Sequence, residues 1–437
     1  VSIVAPGFNF GDNAAKIDPL FTQGTNARVY KFENVFDPTT PGGGQNTGEV
    51  SVKSTSVTFD AIPVTNAQGK IDIWMEKINY DNFTQGAWYD GFAKNIENKY
   101  LNAQGDALKI YDRLDLIKDE NTLRDSLEQL SGSMYANINQ REQDIYGVLN
   151  NALFTLQNSE NNTKENVKIN VIVGKGTTKG DTAGVIDYDY ETAGVMALRE
   201  VERTYKHKFG YSVGYTHTNF KFDDGNDSEE LADTFQLGFH NRYRFNNDYF
   251  VKTDVTGRIS LYNINRNIDW KDGNKKSEMN GNYQTYSITV DNKLQREYEI
   301  NRSNSIIPYA GMKLSYLNRP TFTERGIESL TVKGSEAWEV KPNIGIEFKT
   351  STKELNSAGL KLKGAFDVSY GYELVDSNTE KTKLRVAEDN YHNLATPKNT
   401  DGTLKTKAVI GAEIEDRYGV FLTGEYLTGN SSKNDYK

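Results

Sequence analysis

The sequence predicts a mainly β protein: a long-stranded antiparallel transmembrane barrel with an α-helix in its lumen. Three observations carry this. From about residue 167 onward apolar and polar residues alternate at period two, in runs longer than the roughly five or six residues usual for strands. The connections between those runs alternate between short and long. A polar helical segment precedes the first run.

Composition supports the reading. The 437 residues include 26 Tyr and 20 Phe, with 37 Gly, only 9 Pro and 36% apolar content. A barrel that crosses a bilayer needs apolar side chains on one face of each strand only, so its mean hydropathy stays low. No stretch approaches the roughly 18 apolar residues of a membrane-crossing helix, and no basic-then-apolar leader opens the chain. Val1-Ser-Ile-Val already has strand character, so the chain is expected to be the C-terminal part of something longer. Cysteine is absent, which excludes disulfides, thiolate metal sites and a Cys nucleophile. A net charge of −9, with no basic face interleaved with aromatics, argues against nucleic acid as a partner.

Three zones follow in order. Residues 1–80 alternate β-rich runs, such as Val50–Phe59 and Lys70–Met75, with Gly, Asn and Asp turns, and Asp37–Gly44 punctuates them as a loop. The leading expectation here is the end of a parallel β-helix, and a small β-sandwich is the alternative. Residues 81–160 turn helical, with Phe92, Ile96 and Tyr100, then Leu123, Leu127, Leu130, Met134 and Ile138, at spacings of three and four. Thr122 is the expected N-cap of the later helix, with Asp125 closing a capping box. Beyond Asn139 few positions are apolar, and a helix polar nearly all round fits a wet lumen better than an ordinary core.

The third zone, residues 161–437, carries the barrel. In the run from Tyr205 to His217, Tyr205, His207, Phe209, Tyr211, Val213, Tyr215 and His217 share one face, and small or charged residues take the other. The pattern recurs in Phe235-Leu237-Phe239, Ile344-Ile346-Phe348 and Leu360 to Tyr372. Strands that cross a membrane need about 9 to 11 residues, and these exceed that. Short connections such as Asn246-Asn247-Asp248 and Asp416-Arg417 alternate with long polar ones such as Asp223–Glu230 and Asp269–Lys276, the asymmetry of inner turns and outer loops. Counting by that parity gives eleven strand starts, near Val167, Val185, Tyr205, Thr234, Tyr249, Asn282, Ser305, Glu336, Gly359, Leu404 and Tyr418. Residues 375 to 403 then form one long outer excursion, with a hairpin around Thr382 to Val386. Single-chain bacterial barrels have even strand numbers, so a twelfth strand is expected to begin near Asp435, with most of it missing from the chain.

Leu123-Arg-Asp-Ser-Leu-Glu-Gln-Leu-Ser-Gly-Ser-Met-Tyr-Ala-Asn137 resembles the Leu-x-x-Leu-Ser-Gly-x-x-Tyr/His-Ala segment that precedes the barrel of type Va autotransporters. Leu127, Leu130, Ser131, Gly132, Tyr135 and Ala136 carry the match. The whole chain is similar to the C-terminal region of large fusobacterial adhesins of that type. The resemblance implies an outer-membrane translocator that secretes and anchors its own N-terminal passenger, an adhesin, at the bacterial surface. It also implies outer-membrane lipids around the barrel, transient help from BAM-type assembly machinery, and host or bacterial surface receptors bound through the passenger. A final strand ending in an aromatic residue, expected from the family, is missing from the sequence.

The candidate site is the lumen helix, about Gln140 to Gln157. Arg141, Glu142 and Asp144 are expected to pair with inward barrel residues such as Glu200 or Arg258 and hold a plug, although a solvated surface helix would carry similar charges. Asn150-Asn151 is also the kind of site at which some autotransporters cyclise an Asn to release the passenger, here with Glu142 or a barrel carboxylate assisting. Two Asn that simply hydrogen-bond in a polar lumen are the commoner case. His207, His217, His240 and His392 form no metal-ligand spacing, and no HExxH, P-loop or GxSxG is present, so neither an enzyme nor a cofactor is expected. Trp74, Trp88, Trp270 and Trp338 fit core or interfacial positions. The alternatives in function are a porin-like outer-membrane channel and a binding activity in the surface-exposed part of the chain.

Overall fold

A computed structural model describes residues 3–4, 14–18, 26–38, 50–159, 165–179, 182–246, 249–356, 359–376, 383–386, 391–395, 402–415 and 418–429. The loop expected at Asp37–Gly44 lies largely outside them, as do Asn247, Asp248, Asp416, Arg417 and the twelfth strand expected near Asp435.

The N-terminal zone holds β1 (Ile3–Val4), β2 (Ala15–Ile17), β3 (Val29–Asp37), β4 (Val52–Ser54), β5 (Phe59–Thr65) and β6 (Ile71–Lys77). β6 lies between β5 and β3 and is antiparallel to both. β1 adds parallel to β3, and β2 pairs parallel with β4 in a second small sheet. Phe36, Val50, Phe59, Ile71, Ile73 and Met75 form a buried cluster against which Ala15, Ile17 and Val52 pack. A parallel β-helix stacks every strand parallel to the next, and the antiparallel neighbours of β6 rule that out. The expectation of a β-helix end is therefore corrected to its alternative, a small two-sheet sandwich. Period-two alternation is the same in both folds, which is why the sequence did not separate them.

Three helices follow: α1 (Asp90–Lys99), α2 (Asp106–Asp115) and α3 (Glu120–Leu130). Each buries one stripe, namely Phe92 and Ile96, then Ile110, Tyr111 and Leu114, then Leu123, Leu127 and Leu130. The N-cap of α3 is Asp119, not Thr122. Asp119 has extended backbone, and its carboxylate accepts from the Thr122 amide at 2.8 Å and the Thr122 hydroxyl at 2.9 Å. Asp125 does not close a capping box; it pairs with Lys271. Ser131 ends α3, and Gly132 then takes a left-handed φ of 79°, which turns the chain into α4 (Ile138–Asn158).

The third zone contains β7 (Glu165–Thr178), β8 (Tyr188–Thr204), β9 (His207–Phe222), β10 (Glu229–Arg244), β11 (Tyr249–Ile268), β12 (Ser277–Arg296), β13 (Tyr298–Asn301), β14 (Asn304–Arg319), β15 (Phe322–Thr323), β16 (Leu330–Val332), β17 (Ser335–Ser351), β18 (Leu360–Tyr372), β19 (Val375–Asp376), β20 (Lys383–Val386), β21 (His392–Asn393), β22 (Gly402–Ile414) and β23 (Tyr418–Gly429). Eleven of these, β7 to β12, β14, β17, β18, β22 and β23, form one path in which each strand pairs with its neighbour in the chain order. Every pairing along the path is antiparallel. The eleven starts lie near their expected positions, as in Tyr249 and Tyr418.

The alternation expected from sequence sorts by side. Val171, Val213, Leu237, Ile346 and Leu422 point outward and are exposed, whereas Ser212, Thr216, Thr234 and Ser260 point inward and are buried. Tyr205, Tyr243, Phe245 and Tyr298 form an exposed aromatic group at the end with the short turns, and Trp338 packs at a tilt against Tyr316 nearer the other end. Those positions suit the two interfaces of a bilayer. Among the described residues, no helix is long and apolar enough to cross a membrane.

The long loops fold back over the helices. Gln129 of α3 accepts from the Asp269 amide at 2.7 Å and from Asn226 at 3.0 Å. Arg113 of α2 pairs with Glu328 and Asp272, each at 3.0 Å, and its guanidinium lies 4.5 Å from the ring of Trp270, which is buried. The helices therefore cap the loop end of the curled sheet.

Candidate functional site

Among the described residues α4 is the one helix inside the sheet, and side chains from both edges of the sheet reach it. Lys168 of β7 donates to the Leu156 carbonyl at 2.8 Å, and a Cβ built on Gly147 would lie 3.8 Å from a carboxylate oxygen of Glu425 on β23. One helix can touch the first and last strands of an eleven-strand path only if the sheet curls around it. The direction of the helix follows from its contacts with β11. Glu142 reaches Ser260 and Tyr262, and Gln157, about four turns later, reaches Lys252 and Asp254. The chain thus runs from the loop end to the turn end and then enters β7.

The helix is not polar nearly all round. Ile145, Leu149, Ala152, Leu153 and Leu156 form one apolar stripe, packed in a single core with Ile172 of β7, Met196 and Leu198 of β8, and Phe220 and Phe222 of β9. Gly214 of β9 makes room for it, since a Cβ there would meet Leu149 at 3.1 Å and Met196 at 2.9 Å. The opposite face, with Gln143, Tyr146, Gly147, Asn150 and Phe154, looks into a cavity of about 340 Å³. Its far wall carries ion pairs between strands, including Lys313 with Glu339 at 2.9 Å, Lys341 with Glu373 at 2.7 Å and Lys405 with Glu425 at 2.8 Å. The helix is therefore seated on one wall and faces a charged, wet space on the other.

Three charged residues near its start make a dense set of polar contacts. Arg141 pairs with Glu230 of β10 at 2.7 Å, donates to the Met134 carbonyl, and lies 4.5 Å from the Phe222 ring. Glu142 accepts from Tyr262 at 2.7 Å, Ser260 at 2.8 Å, Thr285 at 3.0 Å, Ser287 at 3.3 Å and Arg258 at 3.3 Å. Asp144 accepts from Tyr188 at 2.6 Å and Thr178 at 2.9 Å. Of the two partners expected from sequence, Arg258 is in place. Glu200 sits further toward the turn end and pairs with Lys168 at 2.8 Å and Lys208 at 3.0 Å. At the far end, Lys168 covers the Leu156 and Ser159 carbonyls, where a cation offsets the negative end of the helix dipole.

Asn150 lines the cavity, and the Asn151 carbonyl accepts from Thr155 at 3.0 Å. Glu142 lies eight residues before Asn150, about 12 Å along the axis, and its oxygens are held by the five donors above. It is not placed to assist Asn150.

The remaining motif residues lie at the hinge between cap and lumen. Leu127 and Leu130 are in the core, and the Ser131 hydroxyl donates to the Glu128 carbonyl at 2.6 Å. Buried Tyr135 donates to Glu324 at 2.5 Å, and Arg266 donates to both oxygens of the same carboxylate at 2.9 and 2.8 Å. Ala136 is buried beside them. His392 donates from Nε2 to the Ser131 carbonyl at 3.1 Å at the same hinge. His240 bridges Asp254 and Ser212, and His207 and His217 sit on the outer face beside Asn241 and Asp233.

Sequence reasoning missed Glu230, Tyr262, Thr285 and Tyr188. Tyr188, Tyr262 and Thr285 sit at inward positions of strands read from the sequence, whereas Glu230 was expected in the loop Asp223–Glu230 and β10 begins one residue before it, at Glu229. Only the helix position and the strand stagger say which inward residue meets Arg141, Glu142 or Asp144.

Comparison with known proteins agrees with this geometry. Residues 167–425 match the family described as Autotransporter beta-domain, and residues 1–79 match the BigA beta sandwich domain. A protein of Salmonella typhimurium named BigA, described as a candidate surface-exposed virulence protein, is 22% identical over 375 residues. That match covers 82% of this chain and 18% of the length of the relative. Among solved structures, the translocator domain of the autotransporter NalP from Neisseria meningitidis aligns with 70% of this chain and 96% of its own, at 13% identity and a TM-score of 0.51. The transport unit of AIDA-I from Escherichia coli aligns with 71% of this chain and 95% of its own, at 13% identity and a TM-score of 0.43. The match over 167–425 spans more than half of the chain, and the chain belongs to the autotransporter β-domain family.

Proposed function

We propose that this chain is the outer-membrane translocator and anchor of an N-terminal surface passenger, an adhesin. One observation carries the reading: a single chain passes from a folded sandwich and helical cap at the loop end, down the lumen as α4, to the first strand at the turn end. A barrel built to secrete its own N-terminal part ends in that topology. A diffusion channel has no use for a helix held by three charged side chains in its bore. Insertion is assisted by BAM-type assembly machinery, and the passenger contacts host or bacterial surface receptors. α4 plugs the lumen, and its Asn150-Asn151 bond stays intact, so the passenger remains attached.

The test is single-channel conductance in planar bilayers, comparing the full-length protein with a variant deleted for residues 122 to 160. Low conductance that rises on deletion to a wide-open pore supports the plugged translocator. High conductance in both favours the porin-like channel. An epitope placed before residue 1 should be accessible on intact cells and run with the barrel as one band. An inaccessible epitope on an inserted barrel overturns anchoring of a surface passenger, and a smaller barrel band overturns the uncleaved state.

A further inference from the structure

Above the barrel, where the sandwich meets the cap, lies a lysine with no exposed side-chain surface between two buried carboxyl groups. Lys77, the last residue of β6, has its Nζ 3.8 Å from Asp115 Oδ1 at the end of α2 and 3.7 Å from Glu97 Oε2 on α1. Aromatic rings enclose it: the Nζ lies 3.6 Å from the centre of Tyr80, 5.0 Å from Tyr100 and 5.7 Å from Phe59. Asp115 accepts from Tyr100 at 2.6 Å, Tyr80 at 2.7 Å and Thr58 at 3.1 Å. Glu97 accepts from the Tyr80 amide at 2.9 Å and from Arg28, the member of the group nearest solvent.

We propose that Lys77 and Asp115 are the two ends of an intramolecular isopeptide bond, formed by the protein itself with Glu97 as proton carrier. An amine and a carboxyl group condense readily only if both are neutral, and water stabilises the charged pair. Burial here acts against that pair. It holds the Lys77 amine below its usual range and the Asp115 carboxyl above its own, although each group partly restores the other's charge. The amine attacks Asp115 Cγ and a C–N bond forms. The Tyr80, Tyr100 and Thr58 hydroxyls point at the carboxyl oxygens, where charge builds up in the tetrahedral intermediate. The Glu97 carboxylate takes a proton from Nζ and passes it to the departing hydroxyl, so the C–O bond breaks and one water leaves. No oxidant or reductant is needed, and Glu97 ends as it began.

The bond would close a ring from residue 77 to residue 115 in a chain with no cysteine. A cross-link of that kind stabilises by restricting the unfolded chain. It also ties β6 of the sandwich covalently to the cap, so that a pull on a surface passenger reaches the barrel through a bond that does not peel.

The experiment is the intact mass of the whole denatured chain extracted from outer membranes, followed by trypsin digestion. The expected result is a mass one water below that of the sequence, and one branched peptide in which Ile71–Lys94, uncut at Lys77, is joined to Leu114–Lys118. The full sequence mass, with cleavage at Lys77 and a free Leu114–Lys118 peptide, overturns the proposal. Asp115→Asn should still close the ring but lose one ammonia in place of water. Glu97→Gln should restore the full mass while the barrel keeps its heat-modifiable mobility on gels. A ring that still closes in Glu97→Gln overturns the role given to Glu97.

Discussion

Arg141 on the lumen helix and Glu230 on β10 meet at 2.7 Å with neither side chain exposed. Removing one partner of such a pair leaves the other charge buried and uncompensated, which costs about 3–5 kcal/mol. Arg141→Ala should therefore lower the urea midpoint of the folded barrel strongly, and Glu230→Ala should do the same. Arg141→Met combined with Glu230→Met should recover most of the loss. Additive losses in the double variant would mean that the two side chains do not act as a pair.

Glu142 takes the larger share of the polar contacts, with five donors from β11 and β12. Glu142→Ala removes the acceptor common to all of them, and hydrogen bonds to a charged group contribute about 1.5–3 kcal/mol each. The apolar stripe of α4 keeps the helix seated, so the barrel should still insert. Open events in single-channel recordings should become at least about tenfold more frequent, equivalent to about 1.4 kcal/mol. Unchanged traces would place the hold on the helix in the apolar stripe alone.

The barrel was legible because strand parity is set by the bilayer. Val167, Ile169, Val171 and Val173 stand on one face of β7 whatever else the chain does. Helices α1 and α3 were equally plain from their spacing, and the Leu130-Ser-Gly132 stop was visible as a motif. The contacts of the lumen were not. Arg258 was expected to meet the helix charges and does so at Glu142, whereas Glu230 was expected in a loop, and only the start of β10 at Glu229 turns it inward to Arg141. The apolar seat of α4 was missed because Met196, Leu198 and Phe220 lie among Gly, Ser and Thr at inward positions. The sandwich was mistaken for a β-helix end because pairing direction leaves no mark on a period-two pattern.

The outer face of β7 offers a direct test of membrane embedding. Val171, near the middle of the strand, is 74% exposed. An Arg on the lipid face near the bilayer midplane costs about 2–4 kcal/mol. Val171→Arg should reduce the amount of folded barrel recovered from outer membranes, whereas Asn170→Arg, one residue earlier and turned inward, should be tolerated. Equal recovery of both variants would argue that this face does not meet lipid.

The α3 cap gives a dependence on pH. Hydrogen bonds from Thr122 hold the Asp119 carboxyl below its usual range, the backbone amide contributing most. A depressed carboxylate stabilises the fold above its unfolded pKa of about 3.9, and that stabilisation is lost as the pH falls through the lower folded value. Hydrogen exchange at the Thr122 amide should speed up as acid removes the cap. In Asp119→Ala it should already be fast at neutral pH and gain nothing from the cap's titration.

Gly132 sets the angle at which the cap enters the lumen. Its φ of 79° lies in the left-handed region, between the end of α3 and the start of α4. A residue with a Cβ pays a conformational penalty of about 1 kcal/mol or more there, and Asn pays less than Ala because its side chain bonds locally. Gly132→Ala should lower the thermal midpoint of the cap by a few degrees, with Gly132→Asn in between. The barrel should register the change as well, since the same turn delivers Tyr135 to Glu324 and Arg141 to Glu230. If the hinge couples the two parts, Gly132→Ala combined with Arg141→Ala should cost less than the sum of the single changes. Strict additivity would show that cap and lumen helix are held independently.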